Sequence, residues 1–424
     1  MSTITQAQPA IAVRPRLLGA SLAATFLAEF TSLTSFFLLL SVVPMLSAAA
    51  GAHSSTAGLM TGSLLLGTVA AEAVAAVAIG RFGCRMVLAA GALLLGAPAL
   101  AMLAREPQAV MVSVSLLRGL GFGLCGVVTG TLTARLLPPE RRGEGLGLLG
   151  LVSGVPAIVA LPAGVWLAGH HQAAAAAAMA AAIGLLPLAV IRWLPGGREA
   201  SRTNRSGHTN HTNHTNESDH INRTDHTGRT GRTGRKQGNR GIGWVAGGAL
   251  RLPLIFAAAT IAAGVLDSFL PLVKGIAPNL ASAALLVQAI TATLSRWQAG
   301  QRGDRYGHAR LLIPALAVAA LGLAAMLFAG SPVALLAGMA LFGAGFGVIE
   351  NATFALLIEQ LPEAKASALW NFAYDAGYGA GPAIFGLICV RTGYPTAFGL
   401  TGAVILAVVP VALRERRTAS ELRH

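Results

Sequence analysis

Glu29, Glu72, Arg118, Asp267, Glu350 and Asp375 all stand inside long apolar runs of the sequence. An ionisable side chain at bilayer depth is costly, so it is kept where it pairs, exchanges a proton or meets a polar cargo. Glu29 falls about 18 Å along the first run, at 1.5 Å per residue, close to the middle of a bilayer. Asp267 holds the matching place in the seventh run, four residues before Pro271. Glu350 and Asn351 are central in the tenth, and Asp375 is roughly 13 Å into the eleventh. Glu72 is nearer one end of the second run, and Arg118 lies in the fourth, where it is expected near Glu29 as a countercharge. Carboxyls so placed can take up a proton facing one side and release it facing the other. Asn371, Tyr374, Asp375 and Tyr378 follow at i, i+3, i+4 and i+7, which predicts one polar helix face. In a membrane that face turns to a cavity or to a neighbouring helix.

The elements that must position these groups are helices. The chain of 424 residues is 54% hydrophobic and 11% charged, with mean hydropathy +0.64. A soluble domain carries about 25% charged residues. Runs of about twenty apolar residues cross a bilayer as helices, so the composition predicts an all-α, multi-pass membrane protein. Twelve spans are expected near 17–48, 57–80, 86–104, 108–137, 145–168, 173–194, 250–271, 280–300, 310–329, 333–360, 366–390 and 395–413. Arg14 and Arg16 precede a first run that is too long for a cleaved signal. The net charge of +14, from 31 basic and 17 acidic residues, would suggest nucleic acid in a soluble chain. Here its placement sets topology. With the N-terminus inside, Arg105, Lys274 and Arg391 fall outside, and nearly all other basic residues fall inside. No nucleic-acid partner is expected. Cys84, Cys125 and Cys389 lack paired spacing, so neither disulfides nor a metal cluster are expected. His170-His171, at an outer helix end, read as interfacial rather than as a metal pair.

Between the sixth and seventh runs, 201–240 is a polar segment in which Ile221 is the only large apolar residue. Such a stretch cannot bury enough surface to offset its ordering entropy. Its histidines, among them His208, His211 and His214, read as part of a low-complexity spacer rather than a metal site. It parts the chain into a tail (1–16), a six-helix half (17–194), a linker (195–249), a second half (250–413) and a tail (414–424). Halving the linker across Ser206–Gly234 should leave the protein's activity intact, checked alongside membrane insertion. Lost activity with normal insertion would give it more than a tethering task.

The halves echo one another. Arg81-Phe82-Gly83 matches Arg305-Tyr306-Gly307, and Gly121-Phe122-Gly123 matches Gly345-Phe346-Gly347, each offset by 224. Pro139-Glu140 matches Pro362-Glu363, offset by 223. Two six-helix units in parallel repeat form a recognised transporter plan.

On these residues the chain resembles the major facilitator superfamily over essentially its whole length. The family's loop between spans two and three reads G-x-x-x-D-R-x-G-R-R/K. Gly303-Asp304-Arg305-Tyr306-Gly307 keeps its core, whereas Gly80-Arg81-Phe82-Gly83-Cys84-Arg85 has Gly80 in place of the acid. Leu117-Arg118-Gly119-Leu120-Gly121 looks like the motif whose arginine the family uses in proton coupling. The GxxxGP antiporter motif is imperfect at Gly150, Gly154 and Pro156 and complete at Gly377 to Gly381-Pro382. The stretch from Leu137 to Gly145 looks like bacterial efflux permeases, opine-metallophore exporters among them.

The resemblance implies two pseudo-symmetric six-helix bundles with spans one, four, seven and ten lining a central cavity. Glu29, Arg118, Asp267 and Glu350 then serve proton coupling. Asn351, Asn371, Tyr374, Asp375 and Tyr378 are expected to touch substrate. Arg81, Gly83, Arg85, Asp304, Arg305, Gly307, Gly154, Pro156, Gly381 and Pro382 are expected as gates and hinges. The expected activity is proton-coupled efflux of a small organic molecule, a drug, metabolite or metallophore, by alternating access. Uptake of a nutrient by the same fold is the alternative. No cofactor is expected, and the partners are the solute, protons and lipid. The chain is expected to act as a monomer in the inner (plasma) membrane with both termini cytoplasmic. A membrane-embedded enzyme would need a nucleophile or metal motif such as GxSxG or HExxH, and the sequence contains neither.

Overall fold

The computed structural model describes residues 19–103, 108–137, 142–195 and 250–421. The 201–240 stretch and residues 138–141 of the Leu137–Gly145 stretch lie outside them. Among the described residues the regular structure is helical.

Span one is Ala20–Leu40, interrupted at Ser41 and continued by Val42–Ala49. Spans two and three form a single rod, Ser54–Gly96, which turns at Gly83 with φ 82°. Only glycine takes that backbone region without strain. Spans four to six are Gln108–Leu136, Arg142–Gly169 and Ala173–Leu185 with Pro187–Val190. The fifth runs on through Pro156 and Pro162, because neighbouring helices hold a proline-broken turn in place at bilayer depth. Span seven is Arg251–Phe269, span eight Pro278–Tyr306 and span nine Ala309–Ala325. Spans ten and eleven are Pro332–Gln360 and Glu363–Thr392; span twelve is Tyr394–Ala407 with Val409–Glu421. The last helix reaches into the segment expected as a tail, where Glu415 accepts from Gln360 Nε2 at 2.5 Å and lies 3.9 Å from Arg251.

Nine helical segments among the described residues are long and apolar enough to cross a bilayer. One of them, Ser54–Met102, has 49 residues, about 73 Å of helix, and so crosses twice. Spans eight and eleven fall short of that hydropathy because they carry Arg296, Gln288, Asn371 and Asp375. Together these agree with twelve spans.

The repeat is present in the packing itself. A Cβ on Gly119 would meet the Leu64 carbonyl, one on Gly121 would meet Gly91 and Leu95, and one on Gly123 would meet Thr68. In the second half Gly343 faces Gln288, Gly345 faces Ala315 and Ala319, and Gly347 faces Ala292. Every residue of the second set is its counterpart plus 224. Gly307 repeats Gly83 as well, with φ 92° at the same turn. Lipid offers no hydrophobic drive for helix association, so small residues that allow close backbone approach set these contacts.

The halves meet along two seams, span two against span eleven and span five against span eight. These are one contact seen twice, since two corresponds to eight and five to eleven. Arg81, Arg85, Arg135, Arg302, Arg305 and Arg310 gather at one end of the bundle, the basic end. Close approaches between halves lie toward the opposite, far end. Ser54 Oγ donates to the Gly386 carbonyl at 3.2 Å, and Ser282 Oγ to the Pro162 carbonyl at 2.8 Å. Gly58 abuts Pro382, and Gly62 abuts Gly379 and Ala383. Toward the basic end Ala368 and Asn371 are exposed, and within the second half a cavity of about 490 Å³ opens beside Gly300, Asp304, Asn351, Phe354 and Glu359.

Candidate functional site

Span seven brings Asp267 to the seam between halves. Ser41 Oγ, from the break in span one, donates to its backbone carbonyl. One residue on, Ser268 Oγ lies 3.1 Å from Thr61 Oγ of span two. Asp267 is 6% exposed. Its Oδ2 accepts from the Tyr378 hydroxyl, and its Oδ1 has no partner among the described residues. The Gln288 amide of span eight lies beside it.

From Tyr378 an aromatic ladder descends span eleven toward the basic end. Tyr378 stacks on Tyr374 with ring centroids 5.4 Å apart, and Tyr374 on Trp370 at 6.0 Å. Phe256 of span seven lies flat on Trp370 at 4.5 Å, and Phe354 of span ten meets it edge-on at 5.3 Å. The spacing i, i+4, i+8 puts three rings on one face. Four buried polar atoms of this region lack partners among the described residues: Asp267 Oδ1, Gln288 Oε1, Asn351 Oδ1 and Trp370 Nε1. Buried polar atoms are satisfied as a rule, so this cluster calls for water or a polar solute. Three of the four are acceptors.

Glu350 pairs with Arg296 at 2.7 Å, from span ten to span eight. Arg296 Nη2 reaches to the Gly154 surface of span five, across the other seam. Tyr374 stands within the electrostatic reach of Asp267, Glu350, Asp375 and Arg296. The second half therefore assembles Asp267, Glu350, Tyr374 and Tyr378 as one polar group, and Arg296 belongs to it.

The remaining candidates are arranged differently from expectation. Arg118 is 1% exposed and is not Glu29's countercharge. Its guanidinium donates to the Ser35 carbonyl at 2.8 Å and the Leu95 carbonyl at 3.2 Å, inside the first bundle. Glu29 instead accepts from Thr129 Oγ1, eleven residues further along span four, about 16 Å away. The expected ring of four charges around one cavity is therefore spread in depth. The expected polar face on span eleven is also split. Tyr374 and Tyr378 turn to span seven, buried Asp375 turns to Glu72 of span two, and Asn371 is exposed. A face one quarter-turn wide touches both neighbours of a sandwiched helix.

The loop residues expected as a gate act within their own halves. Arg85 Nε donates to the Leu194 carbonyl at 2.8 Å, pinning the turn at Gly83 to the end of span six. Asp304 Oδ1 lies 4.0 Å from His308 Nε2, whose ring also approaches Glu359. Arg81 and Arg305 are exposed at the basic end. Pro156 is buried in span five. Gly377 and Gly381 pack on Ala257, Thr260 and Ile261 of span seven, while Gly379 and Pro382 pack on span two. The complete GxxxGP motif is thus where span eleven is gripped between the halves.

Two pseudo-symmetric helical bundles closing over a polar interior define the class, a membrane transporter. The Major Facilitator Superfamily profile matches residues 25–274 and 252–423, and the chain belongs to that family. None of the curated protein sequences matches this chain. Among solved structures it is similar to the nucleoside transporter NupG, with TM-score 0.68 and 14% identity over 94% of this chain and 99% of that one. It is similar to a D-xylose–proton symporter, with TM-score 0.69 and 15% identity over 92% and 96%. A partially occluded, inward-open form of the xylose transporter XylE from E. coli gives 0.67 and 14% over 93% and 97%. At such identity these likenesses establish the fold.

Proposed function

We propose that this chain is a proton-coupled carrier of a small polar organic solute, working by alternating access between its two halves. The Asp267 carboxyl supports this reading most directly. It is buried at the seam, tied by one oxygen to Tyr378 at the head of the aromatic ladder, with the Gln288 amide beside it and its other oxygen without a hydrogen-bond partner among the described residues. A solute bearing hydroxyl or amine donors and a flat apolar face suits three orphan acceptors beside stacked rings. Glu29 supplies a second titrating carboxyl in the first half. The chain acts as a monomer in the plasma membrane, with its basic end and both termini cytoplasmic, as the charge asymmetry supports.

Two directions each have an observation behind them. Export in exchange for protons is favoured by the efflux-like stretch Leu137–Gly145 and the GxxxGP motif. Uptake with protons is favoured by likeness to a D-xylose–proton symporter. Metabolite profiling of a deletion strain decides between them. A solute that accumulates inside the mutant means export; one that the wild type alone depletes from the medium means uptake. Collapse of the proton gradient should abolish either. Glu29→Gln should remove gradient-driven transport while leaving the protein in the membrane, and full gradient-dependent transport in that variant would remove Glu29 from the coupling path.

A further inference from the structure

The repeat that pairs Gly119 with Gly343 also pairs Glu72 with Arg296, again 224 apart. Each sits in the span that forms its seam, at the same level. In the seam of spans five and eight, Arg296 is paired inside its own half by Glu350, at 2.7 Å, and only skirts Gly154 opposite. In the seam of spans two and eleven, the Glu72 carboxyl comes within side-chain hydrogen-bonding reach of a carboxyl of the opposite half, Asp375. Two carboxylates cannot bond to each other, because neither has a donor; such a bond exists only while one of them holds a proton.

We propose that Glu72 and Asp375 share one proton across the seam, and that this shared proton holds the halves closed at the far end. The inference rests on the carrier reading, since it needs halves that move. The place fits the task. From the far end the seam runs through Ser54–Gly386, Gly58–Pro382 and Gly62–Gly379, and Glu72–Asp375 follows them. One turn further on, Asn371 is exposed. The pair therefore sits at the apex of the opening, where a proton can arrive from the basic end. Asp375 is buried, whereas Glu72 is half-buried. The electrostatic partners of Asp375 are Glu72 and, on its own helix, Tyr374. The neighbouring spans offer charges already held elsewhere. Asp267 is bonded to Tyr378, Glu350 to Arg296, Glu29 to Thr129, and Arg118 to carbonyls. When the proton leaves, two carboxylates face each other across the seam, with no cation beside them among the described residues, and separation of the halves relieves the repulsion.

The test reads conformation and needs no substrate. Spin labels at cysteines replacing exposed His53 and Thr392, in the full-length protein in lipid nanodiscs, report the far-end distance. In the wild type the ratio of short to long distances should fall as pH rises from about 5 to about 9, at most about tenfold per unit for one proton. Glu72→Gln supplies a permanent donor, so the short distance should persist across the range. Asp375→Asn should do the same and guards against one variant failing to fold. A pH response that survives in both variants would overturn the assignment. A single unchanging distance in the wild type at every pH would overturn it too. The carrier reading is judged separately, by gradient-driven transport of whatever solute the profiling finds.

Discussion

Arg296→Ala should reduce transport by about 100-fold, which corresponds to ~2.7 kcal/mol. The reason is what it leaves behind. Glu350 has 13% of its side chain exposed and, among the described residues, one ionic partner, at 2.7 Å. Removing one member of a buried pair costs about 3–5 kcal/mol, because the other charge is stranded. Arg296 itself is 37% exposed, so solvent recovers part of that, and about 1–3 kcal/mol of stability should be lost. Arg296→Ala with Glu350→Gln removes the stranded charge. That double variant should recover the melting temperature and still fail to transport, because Nη2 no longer reaches span five. If it transports as the wild type does, the pair is structural only. Arg296→Lys keeps the charge without the planar fork and should fall between the two. Thermal unfolding in detergent and initial rates in proteoliposomes check the series.

Arg296 also shows how far the sequence could be read. Helices, their number and their pairing into halves follow from run lengths and from matches such as Gly121-Phe122-Gly123 with Gly345-Phe346-Gly347. Those signals are local, and bilayer thickness makes them nearly compulsory. The seam charges follow from the same offset only if it is applied to every ionisable residue. Adding 224 to Glu72 gives Arg296, which otherwise passes as one more basic residue near a helix end. The aromatic ladder was legible as Trp370, Tyr374 and Tyr378 at steps of four. The polar face Asn371, Tyr374, Asp375, Tyr378 shares two residues with that ladder and masks its period in the sequence. What no spacing contains is rotation about the helix axis. Whether Asp375 faces Asp267 or Glu72, and whether Arg118 faces Glu29 or the Ser35 carbonyl, depends on which glycines let which backbones approach. Those contacts join residues far apart in sequence, as Gly379 joins Leu65.

Gly58→Val and Gly119→Val should fail in opposite ways, although both would drive a side chain into a carbonyl. A Cβ on Gly119 meets Leu64 within the first bundle, and one on Gly58 meets Pro382 across the seam. Inside a bundle no rigid motion removes the overlap, so strain spreads into spans two and four. Overpacking of that kind costs about 1–3 kcal/mol or more, and Gly119→Val should melt lower and be recovered poorly. Across the seam the halves can move apart as bodies, so the overlap is relieved without disturbing either core. Gly58→Val should therefore melt close to the wild type yet show the long His53–Thr392 distance at low and high pH. Its transport should fall with the loss of the far-end-closed state, since a carrier held in one state cannot cycle. If Gly58→Val instead unfolds as readily as Gly119→Val, the contact of spans two and eleven is continuous core rather than a moving surface. The shared proton of Glu72 and Asp375 would then have nothing to move. If Gly58→Val folds and opens, adding Glu72→Gln should return part of the short distance, because bond and overlap act oppositely on one equilibrium.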